Sequence, residues 1–142
     1  GRRALFLREQ KMRLNAQMRP LIREVAPSLL EVHGVGFEVA AKLLIAVGDN
    51  PHRIRSEAAW AHLCGVAPIP ASSGKTQRHR LNRGGNRQAN SALYRIVLVR
   101  MASDDRTKAY VAKRTADGKT IGEIIRILKR YVAREVFQAL PR

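Results

Sequence analysis

Residues 33–44 read His33-Gly34-Val35-Gly36-Phe37-Glu38-Val39-Ala40-Ala41-Lys42-Leu43-Leu44: two glycines one residue apart, then an apolar pattern at helical spacing. Paired glycines permit a tight turn, and they let the backbone amides that open the next helix meet an anion with no Cβ in the way. The preceding segment, Pro27 to Val32, reads as a short helix. The following helix is predicted over about Phe37 to Val47, with Val39, Ala40, Leu43, Leu44 and Val47 on one apolar face and Gly48 as its stop.

Residues 4–25 place Ala4, Leu7, Lys11, Leu14, Met18, Leu21 and Val25 at alternating three- and four-residue steps, the a/d stripe of a heptad repeat. They predict a helical arm over 1–25, either coiled with another helix or laid on its own domain, with Lys11 in the seam and Pro20 expected to kink or end the helix. Downstream, Ser56 caps a third helix with Gly65 after its end, and residues 66–86 lose all periodicity, as an irregular loop or a short hairpin closing on Gly84-Gly85. Asn86 caps a helix through about Met101 and Asp104 caps one through Ala116. Thr120 and Glu123 form a capping box ahead of the last helix, where Ile121, Ile124, Ile125, Leu128, Tyr131, Val132 and Val136 keep the 3.6 period. The expected fold is mainly α: a helix-hairpin-helix-containing domain over 26–142 with an irregular basic loop or short hairpin, preceded by a coiled-coil-like helix.

The 142 residues carry 27 Lys+Arg against 11 Asp+Glu, a net charge of +16. That excess predicts a polyanionic partner and argues against a free-standing enzyme of small neutral substrates. With 45% hydrophobic residues the chain is no disordered basic tail either. Cys64, the one cysteine, lies in the apolar-flanked run WAHLCGVAP and is expected in the core. No secretory signal is read, and the central apolar run Leu43 to Val47 is too short to cross a bilayer, so a reducing, membrane-free compartment is expected. The sequence opens at Gly1 without an initiator methionine, from which a piece of a longer protein is expected.

Between Glu57 and Asp104 there is no acidic residue, while Lys75, Arg78, Arg80, Arg83, Arg87, Arg95 and Arg100 are cationic. Solvated faces normally mix signs, so this stretch is expected to meet phosphate. The glycine turn at Gly34 and Gly36 resembles the helix-hairpin-helix DNA-binding motif, which grips backbone and carries no sequence code, with Lys42 adding a charge. Aromatics are 5% of residues and none lies between Trp60 and Tyr94, which favours backbone grip over base stacking there. Asp104 and Asp105 are neighbours that read as a cap, and His33, His52, His62 and His79 show no ligand spacing, so no metal site is expected in this chain. Ser72 and Ser73 precede Gly74, Lys75 and the Arg78-His79-Arg80 cluster. A serine attacks a phosphodiester only where its proton can leave and cations meet the growing charge. Lys75, Arg78 and Arg80 supply cations and His79 a base or orienter, although Ser-Ser-Gly on chemistry alone reads as a turn.

The run from Gly34 to Met101, with AHLCGVAPIPASSG and HRLNRGGNRQAN as its most specific pieces, continued by RTKAYVAKRTADGKTIGEIIRILKRYVAREVF, resembles the C-terminal transposase domain of the DEDD insertion-sequence transposases, relatives of the Piv DNA invertase. The resemblance covers roughly residues 26 to 138, and the helix before it is similar to the coiled-coil linker of that family. It implies a bacterial recombinase with its catalytic parts in two domains: an N-terminal RuvC-like domain whose four acidic residues hold magnesium, and a domain like this one with a nucleophilic serine. The serine before glycine in the family's Ser-Gly motif corresponds to Ser73, with Ser72 the alternative because of the doublet. Lys75, Arg78, His79, Arg80, Arg83, Asn86 and Arg87 are then expected along the nucleic-acid path. DNA, a noncoding bridge RNA and a second copy bound through the N-terminal helix are the expected partners, in the bacterial cytoplasm at the nucleoid. The acidic tetrad is absent from these 142 residues, so the chain alone is expected to be inactive. The alternatives are a non-enzymatic helix-hairpin-helix module and a structured-RNA binder.

Overall fold

The computed structural model describes residues 2–51, 54–67, 69–70, 79–80 and 85–141. In chain order these form α1 (Arg2–Val25), α2 (Pro27–Leu30), α3 (Phe37–Asp49), α4 (Glu57–Leu63), two-residue strands β1 (Ile69–Pro70) and β2 (His79–Arg80), α5 (Arg87–Ser103), α6 (Asp105–Ala116) and α7 (Ile121–Ala139). The mainly helical class read from periodicity is what the chain adopts. Helix α5 is central: α3, α6 and α7 pack on it, α1 lies on α3, and α4 lies on α7. Its Ala89, Ala92, Leu93, Ile96 and Val97 are buried, and its small residues let neighbouring helices approach closely.

Trp60 on α4 is fully buried and its indole Nε1 donates to the Ala133 carbonyl of α7 at 3.0 Å, which satisfies the polar edge of a ring otherwise surrounded by apolar side chains. Helix starts follow side-chain chemistry. Ser56 accepts from the Ala59 amide at 3.1 Å, Asn86 from Ala89 at 2.9 Å, and Asp104 from Thr107 at 3.1 Å. Thr120 and Glu123 form the reciprocal capping box at 3.2 and 2.9 Å.

Three boundaries differ from the sequence reading. Helix α1 continues through Pro20 to Val25, because Met18, Ile22 and Ala26 pack into the core on both sides of the missing N–H. Helix α3 runs through Gly48 and stops at Asp49, where the Asn50 side chain donates to the Ala46 carbonyl at 2.9 Å. Helix α2 ends at Leu30, two residues early, and the chain passes straight into the glycine turn.

The basic centre returns on itself. β1 and β2 pair antiparallel, Ile69 with Arg80 and Pro70 with His79. Below them the two arms meet: the Asn86 amide donates to the Leu63 carbonyl at 2.5 Å, and a Cβ placed on Gly85 would fall 2.5 Å from Gly65 Cα. Only a residue without a side chain permits that approach.

Gly85→Ala is therefore expected to lower unfolding free energy by about 1–3 kcal/mol, measured by urea denaturation. The Thr107 hydroxyl bond holds the Asp104 carboxyl below its ordinary pKa. A depressed carboxylate stabilises fully above its unfolded pKa and loses that contribution as pH falls through the folded one. The deficit of Asp104→Asn, read from thermal melts, is expected to be largest near neutrality and to shrink under acid.

Candidate nucleic-acid interface

The turn between α2 and α3 is held from behind. Gly34 has φ +95°, a left-handed conformation that favours glycine, and a Cβ there would lie 3.1 Å from the Ile96 side chain and 3.2 Å from its carbonyl oxygen. Arg100 on α5 reaches back to the turn: its Nε donates to the His33 carbonyl at 2.8 Å while Nη1 pairs with Glu135 of α7 at 2.9 Å. The His33 ring Nε2 lies 3.1 Å from Ser103 Oγ. Gly36 is the N-cap of α3, in extended conformation with no side-chain cap, and a Cβ on it would meet nothing within 4 Å. The first amides of α3 thus open outward with no side-chain cap over them.

In front of that turn lies a groove of about 350 Å³, lined by Gly34, Gly36, Phe37 and Val39 with Arg19 from α1, Lys42 from α3 and Arg95 from α5. Among the described residues the ion pairs are Lys11–Glu38, Arg100–Glu135, Arg114–Asp117 and Arg134–Glu57, and none uses Arg19, Lys42 or Arg95. Glu38, the acidic group on the groove, sits 3.6 Å from Lys11. Arg19 and Arg23 stack over the Phe37 ring at 5.2 and 5.1 Å, which fixes α1 against the mouth of α3. Three cations from three helices around uncapped amides make a seat for an anionic oxygen cluster such as a phosphate.

A second basic spot lies at the foot of the hairpin. Asn90 donates to the Cys64 carbonyl at 2.8 Å and accepts from Lys129 at 3.4 Å. Burial, and then the neighbouring Arg126, draw the Lys129 amine below the ordinary lysine pKa. Arg87 is exposed in the first turn of α5 beside it. Cys64 is fully buried and its thiol is pushed up by that burial, so it is core and not a nucleophile.

The sequence-predicted residues divide accordingly. Gly34, Gly36 and Lys42 converge on the groove. Asn86 has its side-chain oxygen engaged as the α5 cap, and Arg87 follows it. His79 and Arg80 are placed by backbone pairing in β2. Ser72, Ser73, Lys75, Arg78 and Arg83 lie outside the described residues. Sequence reasoning did not single out Arg19 or Arg95 as site residues. Arg95 belongs to the acid-free stretch, whereas nothing local to α1 marks Arg19, whose position comes from packing against Phe37.

The model of the transposase IS116/IS110/IS902 family matches residues 26–112. The chain belongs to that family. It is also 35% identical over 115 residues to the insertion element IS110 uncharacterized 43.6 kDa protein of Streptomyces coelicolor, an alignment covering 79% of this chain and 28% of that protein. The transposase-family match takes in the glycine turn, the groove cations Lys42 and Arg95 and the whole basic centre, while Arg19 and α7 fall outside it. No described helix is long and apolar enough to cross a membrane.

Arg100→Leu is expected to release the turn without unfolding the domain. Hydrogen exchange at the amides of residues 35–39 is expected to accelerate, while exchange in the α5–α7 core slows or holds relative to it.

Proposed function

We propose that this chain is the part of an insertion-sequence transposase that holds DNA by its phosphates and supplies the serine that breaks a strand. The observation that carries the reading is the α3 groove, where Arg19, Lys42 and Arg95 surround amides with no side-chain cap in a chain of net charge +16. Contacts of this type position the duplex and leave its sequence unread. The hairpin foot, with Arg87 and Lys129, extends the grip, and Lys75, Arg78, Arg83 and Asn86 continue it along the basic centre.

The strand-breaking half rests on family membership and on the run AHLCGVAPIPASSG. Ser73, or Ser72 beside it, bonds through its hydroxyl oxygen to phosphorus while one phosphorus–oxygen bond of the strand breaks and that oxygen leaves as a hydroxyl. Lys75, Arg78 and Arg80 offset charge on the phosphoryl oxygens, and His79 takes or steers the serine proton. The described residues bring no three of His, Cys, Asp or Glu together, so they do not fit a magnesium site and no step here runs through a metal. Magnesium belongs to this reading only through an acidic RuvC-like domain of a longer protein. The chain spans 28% of the relative it matches, and cleavage is a property of that larger assembly, guided by a structured RNA and working in the bacterial cytoplasm at the nucleoid. A second reading, grip without chemistry, is favoured by a groove that itself holds no nucleophile.

If about six phosphates are neutralised, affinity for duplex DNA is expected to fall with salt at a log-log slope of roughly −5. Lys42→Glu with Arg95→Glu is expected to weaken binding at least about tenfold and flatten that slope. In the protein carrying all its domains, Ser73→Ala is expected to abolish strand exchange and spare DNA binding. Recombination by Ser73→Ala but not by Ser72→Ala moves the nucleophile by one residue. Denaturing gels without a covalent DNA adduct leave the grip module, and displacement of DNA by RNA at low excess points to an RNA-binding domain instead.

A further inference from the structure

Lys11 occupies a position of the α1 stripe where an apolar side chain is expected, and it does not line the α3 groove. It stands about two and three turns before Met18 and Ile22, on the side of α1 that meets the core. Its Nζ lies 3.6 Å from the Glu38 carboxylate, and among the described residues this is the ion pair that joins α1 to the rest of the domain. Glu38, the second residue of α3, has two other places for its charge. Lys42 follows it by four residues on the same helix face, and glutamate ahead of lysine is the favourable order for such a pair. The opening amides of α3 carry no side-chain cap and also attract a carboxylate at that end of the helix. Either place sets an anion inside the groove, yet Glu38 is paired with Lys11 and Lys42 takes part in none of the described ion pairs.

The geometry points to Lys11 as a positioning residue for the phosphate seat: it draws the Glu38 carboxylate toward α1 and leaves the Lys42 ammonium and the α3 amides available to a backbone phosphate. The role rests on the reading of the groove as a phosphate seat. Glu38 is the built-in competitor of the incoming anion, because it lines the groove and bears the same sign of charge. With its carboxylate on Lys42, the cations left to the ligand are Arg19 and Arg95; with the carboxylate on Lys11, Lys42 joins them. Lys11 itself sits about 12 Å along the helix from Arg19, the α1 residue that does line the groove. Its ammonium is engaged by Glu38, so it acts on the ligand through that carboxylate. The side chains of the pair are 67% and 51% exposed, and pairs in water are weak, so the contact shifts the position of Glu38 by a few fold and does not lock it.

The test measures affinity of the 142-residue chain for a short duplex DNA at low salt, by fluorescence anisotropy. Lys11→Gln is expected to weaken binding about two- to fivefold, Lys11→Arg to bind as the unsubstituted chain does, and Glu38→Gln to bind more tightly. Both side chains are exposed, so far-UV circular dichroism and thermal melts are expected to hold. The deciding measurement is the cycle: in the Glu38→Gln background, Lys11→Gln is expected to cost less than about 1.5-fold. Equal loss in the two backgrounds makes Lys11 a direct phosphate contact and overturns the proposal, as does full-strength binding by Lys11→Gln. A crystal structure of Lys11→Gln without DNA is expected to show the Glu38 carboxylate on Lys42 or over the first amides of α3, and a carboxylate still turned toward α1 overturns the proposal. Absence of salt-dependent DNA binding by the unsubstituted chain removes the phosphate seat and this role together, whereas equal losses with salt-dependent binding intact remove the role of Lys11 alone.

Discussion

The seating of the glycine turn on α5 is the constraint on which the rest depends. Gly34 lies against Ile96 with no room for a side chain, and Arg100 holds the His33 carbonyl from the same helix. Those two contacts set where α3 begins and how its first amides face. They also bring Arg95, five residues before Arg100 on α5 and about 100° round the helix from Ile96, to the lip of the groove. Burial and charge are thus delivered by one helix: Ala92, Ile96 and Val97 are buried, and Arg95 and Val99 line the groove. Arg100 is the joint among three elements, since Glu135 on α7 takes its other end.

The second organising feature is the closure of the basic centre at its foot. Gly85 on Gly65, and the Asn86 amide on the Leu63 carbonyl, tie the end of α4 to the start of α5. Whatever the intervening residues do, their two ends are fixed against the buried Trp60–Ala133 bond and against Asn90 and Lys129. The stretch between them thus begins and ends on packed helices. One cation of the α3 groove, Arg95, and one at the hairpin foot, Arg87, are carried by the same helix, α5. A single rigid strut is a physical reason why grip at one place can set the position of the other.

Helix α1 stands apart in character. Its inner end belongs to the core and to the mouth of α3, whereas its outer end carries an apolar seam into water. Arg19 takes part in both worlds: it stacks on Phe37 and lines the groove. One helix thus lines the groove at its inner end and leaves apolar side chains exposed along its outer one.

The sequence by itself determined the helices and their starts, because caps are local chemistry. Ser56, Asn86, Asp104 and the Thr120–Glu123 box each act within three residues of the amide they satisfy. It determined the glycine turn for the same reason, and the burial of Cys64 from its apolar neighbours. It also carried the family in the runs around Ser73 and Arg83. Helix ends were less legible: Pro20 read as a kink or an end and Gly48 as a stop, yet packing by Met18 and Ile22 carried one helix past its proline, and Asn50 ended the other. Only the tertiary structure decided the groove. Arg19, Lys42 and Arg95 are far apart in sequence, and their convergence depends on α1 docking on Phe37 and α5 docking on Gly34, which are contacts between side chains that no local periodicity encodes.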